Sequence, residues 1–193
     1  MSSFLDRLPA PLSERSRQFF TAWHSWRSGD EIPDRTHLEF GLGELKSTAL
    51  MLEARGRDDM PLVFVGPIFT ERLGIDLTGV NYLDMTTREN RSWRAHLTLA
   101  QIAQPCGSVI YYWLRAGDGS LLPVEIVCAP LREAGAAQPS LLLGVASGLA
   151  KTGENSVIDP DSYREGDGMR FIDLGFGVPP LIPGQRQDTR LVQ

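Results

Sequence analysis

The stretch that most constrains this fold is residues 107–147. Val109-Ile-Tyr-Tyr-Trp-Leu114 is a β-branched and aromatic run of strand type. Gly117-Asp118-Gly119 follows as a turn, since Asp118 and Gly119 both tolerate positive φ. A second run then extends from Leu121 to Ala129, and after a loop rich in Ala, Gly and Pro a third spans Ser140–Ser147. Three such strands in succession imply an antiparallel sheet. No catalytic motif sits on them.

The rest of the chain supplies what packs on that sheet. Pro9 and Pro11 close a loose leader, and Ser13 is placed to cap a helix over 13–28 with Glu14 in its first turn. Leu12, Phe19, Phe20, Trp23 and Trp26 recur at helical spacing, an unusually aromatic stripe. Two uses of the stripe are open: packing on the chain's own sheet, or an interface formed by Phe19, Phe20, Trp23 and Trp26 with a second subunit. Thr48–Arg55 and Leu62–Val65 read as a first hairpin, followed by one or two helical turns ending at Gly74. Thr86-x-x-Glu89 is a capping-box signature for a longer helix that Pro105 limits to about Gln104. Strands at both ends with helices between them make an α+β class. From Ala150 apolar periodicity weakens, so residues 1–149 are expected to form one domain. Residues 150–193 then form a C-terminal extension, partly disordered or docked on the surface through Phe171, Leu174 and Phe176.

Composition narrows the function. The 193 residues suffice for one good core. A net charge of −5 argues against nucleic acid as a partner. Cys106 and Cys128 make neither a metal pattern nor a disulfide framework. No stretch has the roughly 18 apolar residues of a membrane span, so a cytoplasmic protein that needs no membrane is expected.

Catalytic signals are absent as well. His24, His37 and His96 show no metal-ligand spacing, and a metal site is not expected. His96 borders the apolar face of the second long helix and reads as a buried hydrogen-bonding residue; a haem-ligand reading has little support. Gly144-Val-Ala-Ser147-Gly148 lacks the upstream glycine of a serine-hydrolase elbow. Glu125, between Val124 and Ile126, reads as facing solvent or a wet pocket. A sheet with short helices over it is a natural container for a small apolar or mixed ligand. Its expected lining is Leu52, Phe64, Phe69, Leu73, Leu83, Trp93, His96, Leu97, Tyr111, Trp113 and Val127, which serve equally well as plain core.

Several strings resemble one family. They are Trp26-Arg-Ser-Gly-Asp-Glu-Ile-Pro33-Asp-Arg35, Leu62-Val-Phe-Val-Gly66-Pro-Ile-Phe-Thr-Glu-Arg-Leu-Gly74 and Ile75-Asp-Leu-Thr-Gly79-Val-Asn-Tyr-Leu83-Asp. The later hairpin, Leu131 and Leu141-Leu-Leu-Gly144-Val-Ala fit as well. Over about residues 15–149 the chain resembles the PAS_5 family of PAS-like sensory domains, found mainly in alphaproteobacteria. The resemblance implies a five-stranded antiparallel sheet with short helices on one face, a sensory or regulatory role, and often self-association as a homodimer. It also implies that Trp26, Arg27, Pro33 and Arg35 sit at the start of the domain. Gly66 would end the second strand, and Gly74, Asp76, Thr78 and Gly79 would shape the helical lid. Where family members commonly carry an arginine near the second strand, this chain has Leu62-Val63-Phe64. The Asn-Cys motif expected of flavin photosensor relatives is absent, so flavin is not expected and no cofactor is required.

The expected function is therefore a non-catalytic sensor that binds a small ligand or a signalling protein, its output supplied by a partner. The alternatives are a small hydrolase or isomerase, which needs a buried His–Asp or paired-carboxylate constellation and would be favoured by His96 buried beside an acidic group, and a structural dimerisation protein.

Overall fold

The antiparallel sheet forms, with one strand more than expected. A computed structural model describes Leu8 and residues 12–86, 88–115, 121–148 and 169–180. Its strands are β1 (Ala49–Glu53), β2 (Leu62–Val65), β3 (Gly107–Arg115), β4 (Leu121–Arg132), β5 (Pro139–Ser147) and β6 (Met169–Ile172). They lie in the order β2-β1-β5-β4-β3-β6, with antiparallel pairings throughout. The turn expected at 117–119 lies outside the described residues, but the β3–β4 register around it runs from Ser108↔Cys128 to Arg115↔Leu121. The added strand comes from the C-terminal extension and pairs Met169–Ile172 with Gly107–Ile110.

Among the described residues four α-helices accompany the sheet: α1 (Glu14–Ser25), α2 (His37–Phe40), α3 (Pro67–Leu73) and α4 (Arg88–Ala103). Ser13 caps α1 in extended conformation and accepts from the Ser16 N–H. The helix stops at Ser25, short of Ser28. Gly29, with φ +62°, lies in the turn that follows.

Strand alternation divides the core in two. Ala49, Met51, Val109, Val127, Ala129, Leu131, Leu141, Leu143 and Val145 point to one side, where Phe19, Phe20 and Trp23 of α1 cover them. Their neighbours Leu50, Ile110, Val124, Ile126, Cys128 and Ala146 point to the other, toward Phe69 and Leu73 of α3. A register shift between Met51 and Leu52 inserts Val63 as the extra residue, so Leu62 and Val65 both serve this second side.

The family-like strings prove to be fastenings. The Pro33 carbonyl accepts from the Arg132 N–H, the Arg35 N–H donates to the Arg132 carbonyl, and the Arg35 guanidinium pairs with Glu133 at 2.8 Å. The segment after α1 is thereby clipped to the end of β4. A Cβ on Gly66 would lie 2.5 Å from the Ser47 carbonyl oxygen, so no larger residue fits between β2 and α3. Gly74 ends α3 in the left-handed region, and Asp76 accepts from the Thr78 N–H at 2.8 Å.

Residues 169–180 dock on the domain. Ile172 and Leu174 are buried, Arg27 donates to the Leu174 carbonyl at 3.0 Å, and Gln104 donates to the Phe176 carbonyl. The remainder of the extension, 149–168 and 181–193, lies outside the described residues.

Candidate functional site

The side of the sheet facing α3 and α4 is the less completely buried. On β5 it carries small residues, Gly144 in register with Cys128 and Ala146 in register with Ile126. A Cβ added to Gly144 would lie 3.0 Å from the Cys128 sulfur and 3.5 Å from Leu50 Cδ1. Around this strip Leu50, Val65, Ile68, Leu73, Ile110, Leu122 and Cys128 are only partly buried, although they pack against the buried Phe69, Val124, Ile126 and Ala146. One end is polar. Ser108 donates to Gln101 of α4 at 3.1 Å, and the Gln101 amide donates to the Cys106 carbonyl at 2.9 Å. Both side chains are buried. Burial pushes the Cys128 thiol up to about 12, with a hydrogen bond to Ser108 acting the other way. The same residue keeps accessible surface.

The residues expected to line a pocket are divided by the sheet. Phe69, Leu73 and Leu52 face the α3–α4 side. Phe64, Tyr111 and Val127 belong to the α1 side, so one ligand cannot touch both sets. Tyr111, Trp113 and Val127 share one phase of the alternation, and that phase points at α1; a shift of one residue exchanges the faces. Trp113 is 53% exposed, one register step beyond the row where α1 begins. Leu83 is buried with Met60 and Ala95 beneath α4, and Leu97 is buried on α4. His96, expected to be buried, is exposed and stacks on the half-buried Trp93 at 6.2 Å. A buried His96–acid constellation is therefore not formed. The residues that do converge, Leu50, Ile110, Ile126, Cys128, Gly144 and Ala146, were missed; the complementary phase of the same strands would have found them.

The aromatic stripe is also reassigned. Phe19, Phe20 and Trp23 are 0% exposed, and the Trp23 indole donates to the Pro130 carbonyl at 2.9 Å. These three side chains are consumed by their own sheet and offer nothing to a second subunit. Trp26 lies half-buried and stacks on His37 at 5.4 Å. Among the described residues no group of three or more His, Cys, Asp or Glu could hold a metal, and no helix is long and apolar enough to cross a membrane.

The profile of a family described as the PAS domain matches residues 12–147. The chain belongs to the PAS domain family. The PAS fold is also found among solved structures. The PAS-B domain of Drosophila melanogaster Cycle, solved with bound glycerol, is 12% identical with a TM-score of 0.38, covering 51% of this chain and 96% of its own. The PAS domain of an HTR-like protein from Haloarcula marismortui is 17% identical with a TM-score of 0.36, covering 51% and 82%. The Rhodobacter sphaeroides LOV protein is 13% identical with a TM-score of 0.40, covering 71% and 69%. No curated protein matches the sequence.

The two ends of the PAS match meet on the α1 side. Glu125, expected in solvent or a wet pocket, is partly buried beneath the start of α1. Its carboxylate accepts from the Ser13 N–H at 3.1 Å, the Ser13 hydroxyl at 2.6 Å and the Ser16 hydroxyl. Ser147, its partner on β5, lies 2.8 Å from the Ser13 hydroxyl. On the other flank Glu125 pairs with Tyr111. The Tyr111 phenol is pushed up to about 12 by burial first, then by the charge of Glu125 and a hydrogen bond to it. Ser147, Glu125 and Tyr111 thus make a polar row across three strands of an otherwise apolar face. Sequence alternation pointed Glu125 to solvent or a wet pocket and could not reveal that the first turn of α1 covers it.

Proposed function

We propose that this PAS domain is a sensory module whose stimulus is a small apolar or mixed-polarity ligand held between the sheet and α3–α4, with output supplied by a partner protein. The observation that carries the reading is Cys128. It is only partly buried and lies on the same face as the partly buried Leu50, Ile110 and Leu73. A set of half-covered apolar side chains on one face of a sheet supports a place for a ligand. The opposing β5 residues, Gly144 and Ala146, are small, and Leu50, Ile110 and Leu73 supply apolar walls. Ser108 and Gln101 offer polar groups at one end, which supports mixed polarity. Both cysteines are free thiols, in keeping with action in the reducing cytoplasm.

The test is native mass spectrometry of full-length protein purified from its own cells, alongside Ala146→Leu. The wild type is expected to carry a small-molecule mass that Ala146→Leu loses while keeping its circular dichroism. A wild type that carries no added mass, and binds 1-anilinonaphthalene-8-sulfonate no better than Ala146→Leu does, overturns the reading.

A further inference from the structure

We infer that the corner formed by the β3 edge, the C-terminal end of α1 and the end of α4 is a strand-acceptor site, which this chain fills with its own residues 169–177 and yields to an extended segment of a partner protein. The partner's chemistry is read from the occupant: two aliphatic side chains at alternate positions, then an aromatic. Residues 169–177 lie beyond the PAS match, which ends at 147. β6 pairs Met169–Ile172 with Gly107–Ile110, and the N–H and C=O groups of a sheet edge accept an extended chain whose side chains fit. Ile172 and Leu174 are buried, and the half-buried Phe176 packs against the same core. A Cβ on Gly107 would lie 3.0 Å from Phe20 and 3.3 Å from Ile172, so the bare glycine lets the occupant seat against α1. Past Ile172 the segment holds its own turn. Asp173 accepts from the Gly175 and Gly177 N–H groups at 2.7 and 2.9 Å, and both glycines have positive φ. The shape that fits the corner is thus carried by the segment itself, which lowers the ordering cost of docking it as a separate peptide.

Two features make the occupant displaceable. The first is its tether. Ser147 ends β5 in the row Ser147↔Glu125↔Tyr111, and Met169 begins β6 opposite Ile110, one residue along. Three strand spacings, about 14 Å, separate the two ends. Residues 148–168 connect them, and an extended chain of that length reaches roughly 70 Å. Residues 169–177 can therefore leave without pulling on β5. The second feature is Arg27, whose side chain is 9% exposed. It lies 4.8 Å from the Phe176 ring and 5.8 Å from the Trp23 ring, and donates to the Leu174 carbonyl at 3.0 Å and to Asp30 at 3.4 Å. Its Nε is buried and makes no hydrogen bond among the described residues. A buried cation with an unmet N–H destabilises the docked state, and water satisfies it once the segment leaves.

Cys106 reports whether the corner is covered. It is fully buried beside Gly107, and the charge of Asp173 acts on its thiol. The probe is a fluorescein-labelled synthetic peptide of residues 167–178, added to full-length protein. In wild type the tethered segment competes with it at an effective concentration on the order of millimolar. Leu174→Asp puts a charge at a buried position of that segment and frees the corner. The variant is expected to bind the peptide about tenfold or more tighter than wild type. Its Cys106 should be alkylated about tenfold faster, read by mass spectrometry of the digested protein, and added peptide should slow that reaction again. Arg27→Glu in the Leu174→Asp background should abolish peptide binding. A Leu174→Asp protein with native circular dichroism that binds no peptide overturns the site. So does equal binding to wild type and Leu174→Asp, or Cys106 alkylation that the peptide leaves unchanged. If Leu174→Asp does not fold, Ile172→Ser takes its place with the same readouts.

Discussion

The two sides of the sheet are built from the same strands and differ in how they are closed. The α1 side is sealed by three fully buried aromatics over Met51, Val127, Leu131, Leu141, Leu143 and Val145, all at 4% exposure or less. The α3–α4 side meets a short helix of seven residues and the end of α4, and leaves Leu50, Ile110, Leu73 and Cys128 partly buried. A seven-residue helix has little stability of its own and depends on its contacts. Close packing on one side supplies a rigid reference; the thinner cover on the other is what the proposed ligand would use. Glu125 is a charged group on the sealed side and is bonded to the first turn of α1.

The largest expected difference between the sides is in truncation cost. Trp23→Ala removes a fully buried indole and its bond to the Pro130 carbonyl, which should cost about 3–5 kcal/mol. Leu73→Ala removes a side chain that is only partly buried, and should cost about 1 kcal/mol. Urea unfolding with unchanged m-values measures both. Equal losses would mean that the α3–α4 side is as tightly packed as the other, and the proposed chamber would go with it.

Much of this fold was legible in the sequence, and the misreadings share one cause. The strands, the Ser13 cap, the Gly74 stop and the PAS strings all rest on local chemistry: β-branched runs, cap residues and glycines at special positions. Facing is not local. Val127 and Tyr111 are in phase with each other, but nothing within β3 or β4 says which helix that phase will meet. Phase became readable only when α1 was placed against Ala129 and Leu143. Glu125 and His96 were misjudged for related reasons, one covered by a helix distant in sequence and the other left uncovered by any. The sixth strand escaped notice because Met169-Arg-Phe-Ile172 is too short to stand out before it is paired with β3.

Alkaline pH should weaken both sides, through different groups. Burial pushes the Cys106 thiol up to about 12 from 9.0, aided by the charge of Asp173, and pushes Cys128 equally far. Tyr111, on the α1 side, rises to about 12 from 10.0. Each group holds its proton more tightly in the folded state. Their stabilisation is complete below the unfolded values and is lost as pH rises through the folded ones. Urea midpoints should therefore hold steady up to about pH 9 and decline toward pH 12. Tyr111→Phe should remove only the later part of that decline, above pH 10. A decline that begins at pH 7, or one untouched by Tyr111→Phe, would contradict the burial of these groups.

The smallest effect sharpens the comparison within one side. Trp113 shares the strand phase of Val109 and Tyr111, so orientation alone would place it with Trp23. It lies beyond the start of α1 and is 53% exposed. Orientation without cover removes little apolar surface from water, and burial is what stabilises. Trp113→Ser should therefore change unfolding free energy by no more than about 0.5 kcal/mol, against several for Trp23→Ala. The tryptophan emission it removes should be the solvent-exposed, red-shifted component, leaving the spectrum shifted to the blue. A loss of stability comparable to that of Trp23→Ala would show that strand phase, rather than the reach of α1, sets where the sealed side ends.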